Sequence, residues 1–141
     1  MKLEQQVPSL NLCRKLKSLS YPQEGLYYWD NYYIAWNVFW KGYPIHEKCG
    51  VGDIIDEHTL WQPDETSVVA PTVAEMGEWL PASIRRKRFS CDKWPSGRWF
   101  ISYRELGEEG GIMETDRIEA NARAKMLIYL LENNYLKLEG K

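Results

Sequence analysis

Apolar residues recur at helical spacing in two short segments and one long segment of the chain. The first short segment begins at Ser9, whose side chain can cap a helix, and its apolar face runs through Cys13 to Leu19. The second begins at Thr72, where Glu75 completes the spacing of a capping box. These patterns predict two short helices, and they place Cys13 in the core.

The long segment, Ile118 to Asn133, carries the strongest helical signal, since alanine, leucine, isoleucine and methionine fill most of it. Asp116 and Glu119 are spaced to cap its start. Asn133 and Asn134 can end it in a left-handed conformation, after which further apolar residues are expected to pack back. A helix of this composition needs cover on most sides, so we expect it to be mostly buried.

Between Leu26 and Tyr43 the pattern changes to closely spaced aromatic residues, which suit the half-buried surface of a strand. The segment predicts two antiparallel strands joined by a turn at Asp30-Asn31. Alternation assigns most of one set of side chains to the core: Tyr28, Trp36, Val38 and Trp40. It leaves a second set partly exposed: Trp29, Tyr33 and Tyr43.

A second pair of strands is predicted at 84–91 and 98–104, because Pro95 and Gly97 supply turn geometry between them. The stretch 44–71 is rich in turn-forming residues, and we expect one short strand in it, at Leu60 and Trp61. With 141 residues the chain has the length of one domain. The elements predict a single α+β domain over residues 1–141. Its antiparallel sheet has about four or five strands and is packed by the long C-terminal helix, with two shorter helices at the rim.

Charge is distributed unevenly along this chain. The net charge is −2 and the pI is about 5.7, whereas nucleic-acid-binding domains usually have a pI above about 9. Residues 53–80 hold seven acidic side chains and no Lys or Arg, while 81–104 hold seven basic side chains against Asp92 alone. One interpretation is that the basic hairpin binds phosphates while its rings stack on bases. The other is that its charges protect an edge strand from aggregation.

The side chains assigned to this candidate binding surface come from the hairpin and from the aromatic stretch. They are Arg85, Arg86, Arg88, Lys93, Trp94, Arg98, Trp29 and Tyr33.

A candidate metal site lies in the loop-rich stretch, where His46, Cys49 and His58 are residue types that bind zinc. A second Cys/His pair at matching spacing is missing, so we expect no cofactor and keep zinc as the alternative. The three cysteines are odd in number and widely spaced, which is typical of reduced thiols in the cytosol. The start of the chain lacks the pattern of a signal peptide, and no stretch is apolar enough to span a bilayer, so no membrane association is expected.

Two segments of the chain, 70–81 and 122–134, resemble recurrent blocks of small uncharacterised phage- and prophage-associated bacterial proteins. The pattern from Leu10 to Leu19, followed by Pro22-Gln23 and the aromatic stretch, is similar to the same proteins. The resemblance implies a gene of a bacterial virus or integrated element, acting in the cytoplasm of the bacterial host. It implies no activity and no catalytic residues.

The sequence therefore predicts a non-enzymatic accessory protein of a phage or mobile element that binds a macromolecular partner, expected to be a protein. The first alternative is a nucleic-acid-binding protein that uses the basic hairpin 84–104. The second is a zinc-dependent or other hydrolase. No residue is assigned a catalytic role, because neither a phosphate-binding loop nor a nucleophile with a nearby base is evident in the sequence.

Overall fold

The computed structural model describes residues 5–32, 35–40, 62–107 and 111–138. Within these ranges the chain forms three helices: α1 (Leu10–Ser18), α2 (Val73–Trp79) and α3 (Glu119–Glu132). It also forms seven strands: β1 (Tyr27–Tyr32), β2 (Ala35–Trp40), β3 (Val68–Val69), β4 (Ser83–Ile84), β5 (Lys87–Lys93), β6 (Trp99–Arg104) and β7 (Ile112–Asp116).

The strands divide between two antiparallel sheets. The first sheet has the order β2-β1-β3, and the second has the order β4-β5-β6-β7. The predicted α+β class is confirmed, and so is the C-terminal helix packed on a sheet, because α3 contacts β6 and β7 of the second sheet. The expected strands form two sheets rather than one, because β1 pairs with β2 and β3 and not with the hairpin of β5 and β6.

Both short helices begin where their capping patterns predict. The Ser9 hydroxyl accepts a hydrogen bond from the Leu12 N–H, and Cys13 of α1 is fully buried. In α2 the Thr72 hydroxyl accepts from the Glu75 N–H at 3.1 Å, and the Glu75 carboxylate accepts from the Thr72 N–H at 3.0 Å. The predicted capping box is therefore confirmed in both of its hydrogen bonds.

The first sheet is packed on both faces. Tyr28 and Phe39 are opposite each other on β1 and β2 and are buried in the main core. Trp29 and Val38 are paired on the other face, where they pack against a smaller cluster that contains Cys13. The prediction that Tyr28 and Val38 share one buried face is wrong, because a sheet covered on both faces places apolar side chains at successive positions.

The turn predicted at Asp30-Asn31 is also wrong. Both residues lie within β1, and the pairing of the two strands continues to Tyr32 and its partner Ala35. Asp30 is buried in this strand, so the strand preference of its aromatic neighbours overrides its own preference for turns. Several predictions lie outside what the structure describes: the side chains of Trp36 and Trp40, the residues Tyr33 and Tyr43, and the strand at Leu60 and Trp61.

The second sheet contains the predicted hairpin, formed by β5 and β6. Its first strand begins at Lys87 rather than at Ile84, because Arg85 and Arg86 form a two-residue turn after β4. Ile101 and Tyr103 of β6 are fully buried in the main core. The phenolic O–H of Tyr103 donates to the carbonyl oxygen of Pro81 at 2.6 Å and so fixes the chain that leads into β4.

The long helix is mostly buried, as predicted, but its start differs from the prediction. Its N-cap is Ile118, which forms no side-chain capping bond, so Asp116 and Glu119 are not a cap pair. Asp116 ends β7 and accepts a hydrogen bond from the Ile118 N–H at 3.0 Å. Asn134 adopts the expected left-handed conformation, with φ of 59°. Of the helices in the described ranges, none has the length and apolar character needed to cross a membrane.

Candidate functional site

The two faces of the second sheet differ in what they contact. Side chains alternate along each strand, so every second residue of β5, β6 and β7 lies on the face that packs against α3. We call the opposite face the outer face, and it consists of Arg88, Ser90, Asp92, Phe100, Ser102, Arg104, Met113 and Thr115. Arg88, Asp92, Arg104 and Met113 are exposed on it, and in the described part of the chain its side chains do not belong to either core cluster.

One end of the outer face concentrates positive charge. Arg88 and Arg104 are direct cross-strand partners in the pairing of β5 with β6. They line a groove of about 600 Å³ together with Arg86 from the β4–β5 turn, and Glu105 contributes a carboxylate to the same groove. Like charges placed directly opposite each other on a sheet are destabilising. The arginine groove is therefore suited to an anionic ligand that lies between its guanidinium groups.

The other end of the outer face carries aromatic rings. Trp94, at the start of the β5–β6 turn, stacks on Phe100 with ring centroids 4.3 Å apart and planes 24° from parallel. Its side chain nevertheless remains 55% exposed. Gly97 permits this turn through a φ of 89°, and Arg98 is held beside the rings because its Nη2 donates to Thr115 Oγ1 at 3.2 Å.

Small polar side chains separate the two ends. Ser90 and Ser102 are direct partners at the middle of the hairpin, and the Ser90 hydroxyl donates to the Asp92 carboxylate at 2.9 Å. From Phe100 to Arg104 is four residues along β6, which is about 13 Å at the rise of an antiparallel strand. The outer face thus presents a shallow polar strip between an aromatic end and a basic end.

Three residues of the predicted binding surface lie away from the outer face. The Arg85 guanidinium lies 5.5 Å from the centre of the Tyr135 ring, behind the sheet. Lys93 lies at the same distance from the ring of Trp99, on the face that packs against α3. Trp29 belongs to the first sheet, where its Nε1 donates to the carbonyl oxygen of Pro8 at 3.0 Å.

The remaining predicted residues have different outcomes. The structure brings Arg86, Arg88, Trp94 and Arg98 to the outer face or its rim, whereas Tyr33 lies outside the described residues. Sequence reasoning missed Arg104 and Phe100 as members of the surface. The hairpin turn offered a signal for both, because pairing Lys93 with Trp99 across it fixes Arg88 opposite Arg104 and Asp92 opposite Phe100.

Beneath the sheet, Cys91 forms part of a polar cluster. Arg123 Nη2 donates to Cys91 Sγ at 3.5 Å and to the Glu119 carboxylate at 3.2 Å. Burial raises the pKa of the Cys91 thiol; Glu119 raises it further, and Arg123 offsets only part of the shift. The thiol is therefore protonated near neutral pH, and this environment does not generate a nucleophilic thiolate.

Cys13 is equally unsuited to nucleophilic chemistry, since burial raises the pKa of its thiol to about 12. Among the described residues, no group of three or more His, Cys, Asp or Glu side chains is placed to hold a metal ion. The predicted zinc ligands His46, Cys49 and His58 lie outside these residues.

Comparison with known proteins identified no relative of this chain. No protein-family model, no curated protein and no solved structure matches the chain.

Proposed function

We propose that the protein binds nucleic acid through the outer face of its second sheet and acts as a non-enzymatic accessory protein. The observation that carries the proposal is the cross-strand pair Arg88 and Arg104, which faces the same side as the exposed ring of Trp94. Arginine forms paired hydrogen bonds with phosphate oxygens through its planar guanidinium. Phosphates supply the affinity of most protein complexes with nucleic acid.

The distribution of charge within the fold supports nucleic acid as the ligand of the outer face. Arg86, Arg88, Arg98 and Arg104 lie on the outer face or its rim. Asp92 on the outer face and Glu105 in the groove oppose part of this charge, whereas Asp64 and Glu78 lie outside the second sheet. A net charge of −2 for the whole chain is therefore compatible with a basic local surface.

The alternative is that the surface binds a protein, which is the partner that the sequence predicted. An acidic protein surface would also satisfy the arginine groove. A stacked indole beside arginines on a sheet face is, however, the combination that nucleic-acid-binding sheets use, because every base offers a ring face. We further propose that the gene belongs to a phage or mobile element and that the protein acts in the bacterial cytoplasm, as the resemblance of its sequence blocks implies.

The test is fluorescence anisotropy with a labelled mixed-sequence oligonucleotide, in single-stranded and duplex form. Affinity is measured between about 50 and 200 mM salt, because release of counterions makes phosphate contacts strongly salt-dependent. We expect Arg88→Ala and Arg104→Ala each to weaken binding about fivefold and to reduce the salt slope by about 1.

The matched control is Arg117→Ala, which removes the same charge from an exposed position on the α3 side of the sheet. We expect it to change affinity less than twofold. Equal effects of Arg88→Ala, Arg104→Ala and Arg117→Ala would contradict the proposed surface. No binding of either oligonucleotide at the lowest salt would contradict the function and favour a protein partner.

A further inference from the structure

The aromatic end of the outer face indicates which form of nucleic acid the protein binds. Phe100 covers one face of the Trp94 indole, yet the side chain is 55% exposed, so the opposite ring face is open to a ligand. Trp94 lies on the hairpin turn, which is closed by the hydrogen bond from the Trp94 N–H to the Arg98 carbonyl oxygen at 2.9 Å. The closed turn and the stacking on Phe100 together hold the ring in place before any ligand arrives.

A duplex offers no partner for such a ring. Its bases stack on one another, and their ring faces are hidden along the helix, whereas an unpaired base can be splayed out onto an aromatic side chain. Stacking of this kind tolerates any sequence, because it needs only the ring face of the base. The open face of Trp94 is therefore useful to a single strand and not to an intact duplex.

We infer, on the basis of the proposed function, that the ligand is a single strand that crosses the hairpin from Trp94 to the arginine groove. One base stacks on Trp94, the backbone passes over the small side chains of Ser90 and Ser102, and phosphates reach Arg88 and Arg104. Ser102 is buried between its neighbours and projects little from the sheet, so it leaves the path open. Arg98 lies beside the stacked base, positioned by Thr115.

The length of this path sets the number of nucleotides bound. The aromatic and basic ends are about 13 Å apart along β6. Single-strand-binding folds occupy roughly 4 to 16 nucleotides per site. A path this short belongs at the lower end, so affinity for oligothymidylate should stop rising between roughly four and eight nucleotides.

The first experiment compares Trp94→Leu with Trp94→Phe. We expect Trp94→Leu to weaken single-strand binding by about 5- to 100-fold, because the stacked base is lost. Trp94→Phe keeps a ring and should retain most of the affinity. Because single-strand binding covers Trp94, oligothymidylate should also quench part of the intrinsic fluorescence of the natural protein, and that part should be missing in Trp94→Phe.

The second experiment compares a single strand with its duplex. We expect the single strand to bind at least about tenfold more tightly, and Trp94→Leu to leave the weak, phosphate-driven duplex binding unchanged. Thermal melting of both variants verifies that the exposed turn tolerates the change.

The outcomes separate this inference from the function on which it rests. Equal affinity for duplex and single strand, or an unchanged affinity in Trp94→Leu, would overturn the single-strand inference while the arginine variants still lower binding. Loss of all nucleic-acid binding at low salt would overturn both.

Discussion

The inner and outer faces of the second sheet are made by the same strands and have opposite character. Phe89, Ile101 and Tyr103 face α3, where the rings of Phe89 and Tyr103 meet edge to face with centroids 5.5 Å apart. Arg88 and Arg104, the residues next to two of them in sequence, face away. The first set belongs to the core or packs against it, whereas the second set is exposed.

The contrast between the two faces is clearest in the contacts of their arginine side chains. On the inner side Arg123 donates to Glu119 and Cys91, and its guanidinium lies 5.5 Å from the centre of the Phe89 ring. On the outer side Arg88 is paired with another arginine. Removing a partly buried arginine with three kinds of partner leaves those partners without their contacts, whereas two opposed, exposed arginines repel each other unless an anion lies between them.

The largest expected effect comes from the inner face. Ile101→Ala should lower the free energy of unfolding by about 3 kcal/mol, because it leaves a cavity at a fully buried position on β6, an inner strand of the sheet. Urea denaturation measures the change. Met113→Ala, on the outer face of the adjoining strand, is the matched control and should cost less than about 1 kcal/mol. Similar losses for both variants would mean that the outer face is covered in the folded protein.

An intermediate effect is expected where the inner face meets α3. Asp116 forms an ion pair with Lys125 at 2.8 Å and accepts hydrogen bonds from the Ile118 N–H and from Asn121. Burial by itself would raise the pKa of Asp116, but these hydrogen bonds and the charge of Lys125 outweigh it and hold the pKa below its ordinary value. Asp116→Asn should lower stability at pH 7 by about 1 to 2 kcal/mol.

The dependence on pH follows from the direction of this shift. A carboxyl group whose pKa is lower in the folded state stabilises fully above its unfolded pKa of about 3.9, and the contribution is lost as pH falls through the folded pKa. The difference between the natural protein and Asp116→Asn should therefore shrink below about pH 4 in urea denaturation. Asp92→Asn on the outer face should change stability at pH 7 by less than about 0.5 kcal/mol. A constant difference across this pH range would show that the Asp116 carboxylate is not what stabilises the start of α3.

The smallest effect should have the opposite sign. Arg104→Ser removes one member of the opposed pair on the outer face and should leave stability unchanged or raise it by up to about 1 kcal/mol. Thermal and urea denaturation at low salt, where the repulsion is least screened, would detect it. A clear loss of stability in Arg104→Ser would assign a structural role to the groove and weaken the distinction between the two faces.

Local patterns predicted the helices and the hairpin because the signals lie within a few residues of each other. The capping box of Thr72 and Glu75 and the turn around Gly97 are of this kind. Strands β3 and β7 were missed, since Val68-Val69 is too short to show alternation and Ile112–Asp116 mixes apolar and acidic residues. Their pairing comes from distant partners, which no local pattern encodes.

The binding surface was predicted in part for a similar reason. The charge run identified Arg86 and Arg88, but proximity in sequence does not distinguish the two sides of a strand or a turn. Lys93 points toward α3, and Trp29 belongs to another sheet. Arg104 belongs to the surface because the register of the hairpin places it opposite Arg88, which the charge run alone does not show.

The turn between β4 and β5 separates two neighbouring arginines. Arg85 adopts a φ of 55°, a conformation that usually requires glycine or asparagine, and its guanidinium rests on the ring of Tyr135. Tyr135 in turn stacks on Tyr129 of α3, while Arg86 lines the groove on the opposite side. The contact between Arg85 and Tyr135 therefore joins the rim of the groove to the segment after α3, and loss of that segment would remove a contact of the residue that holds the left-handed position of the turn.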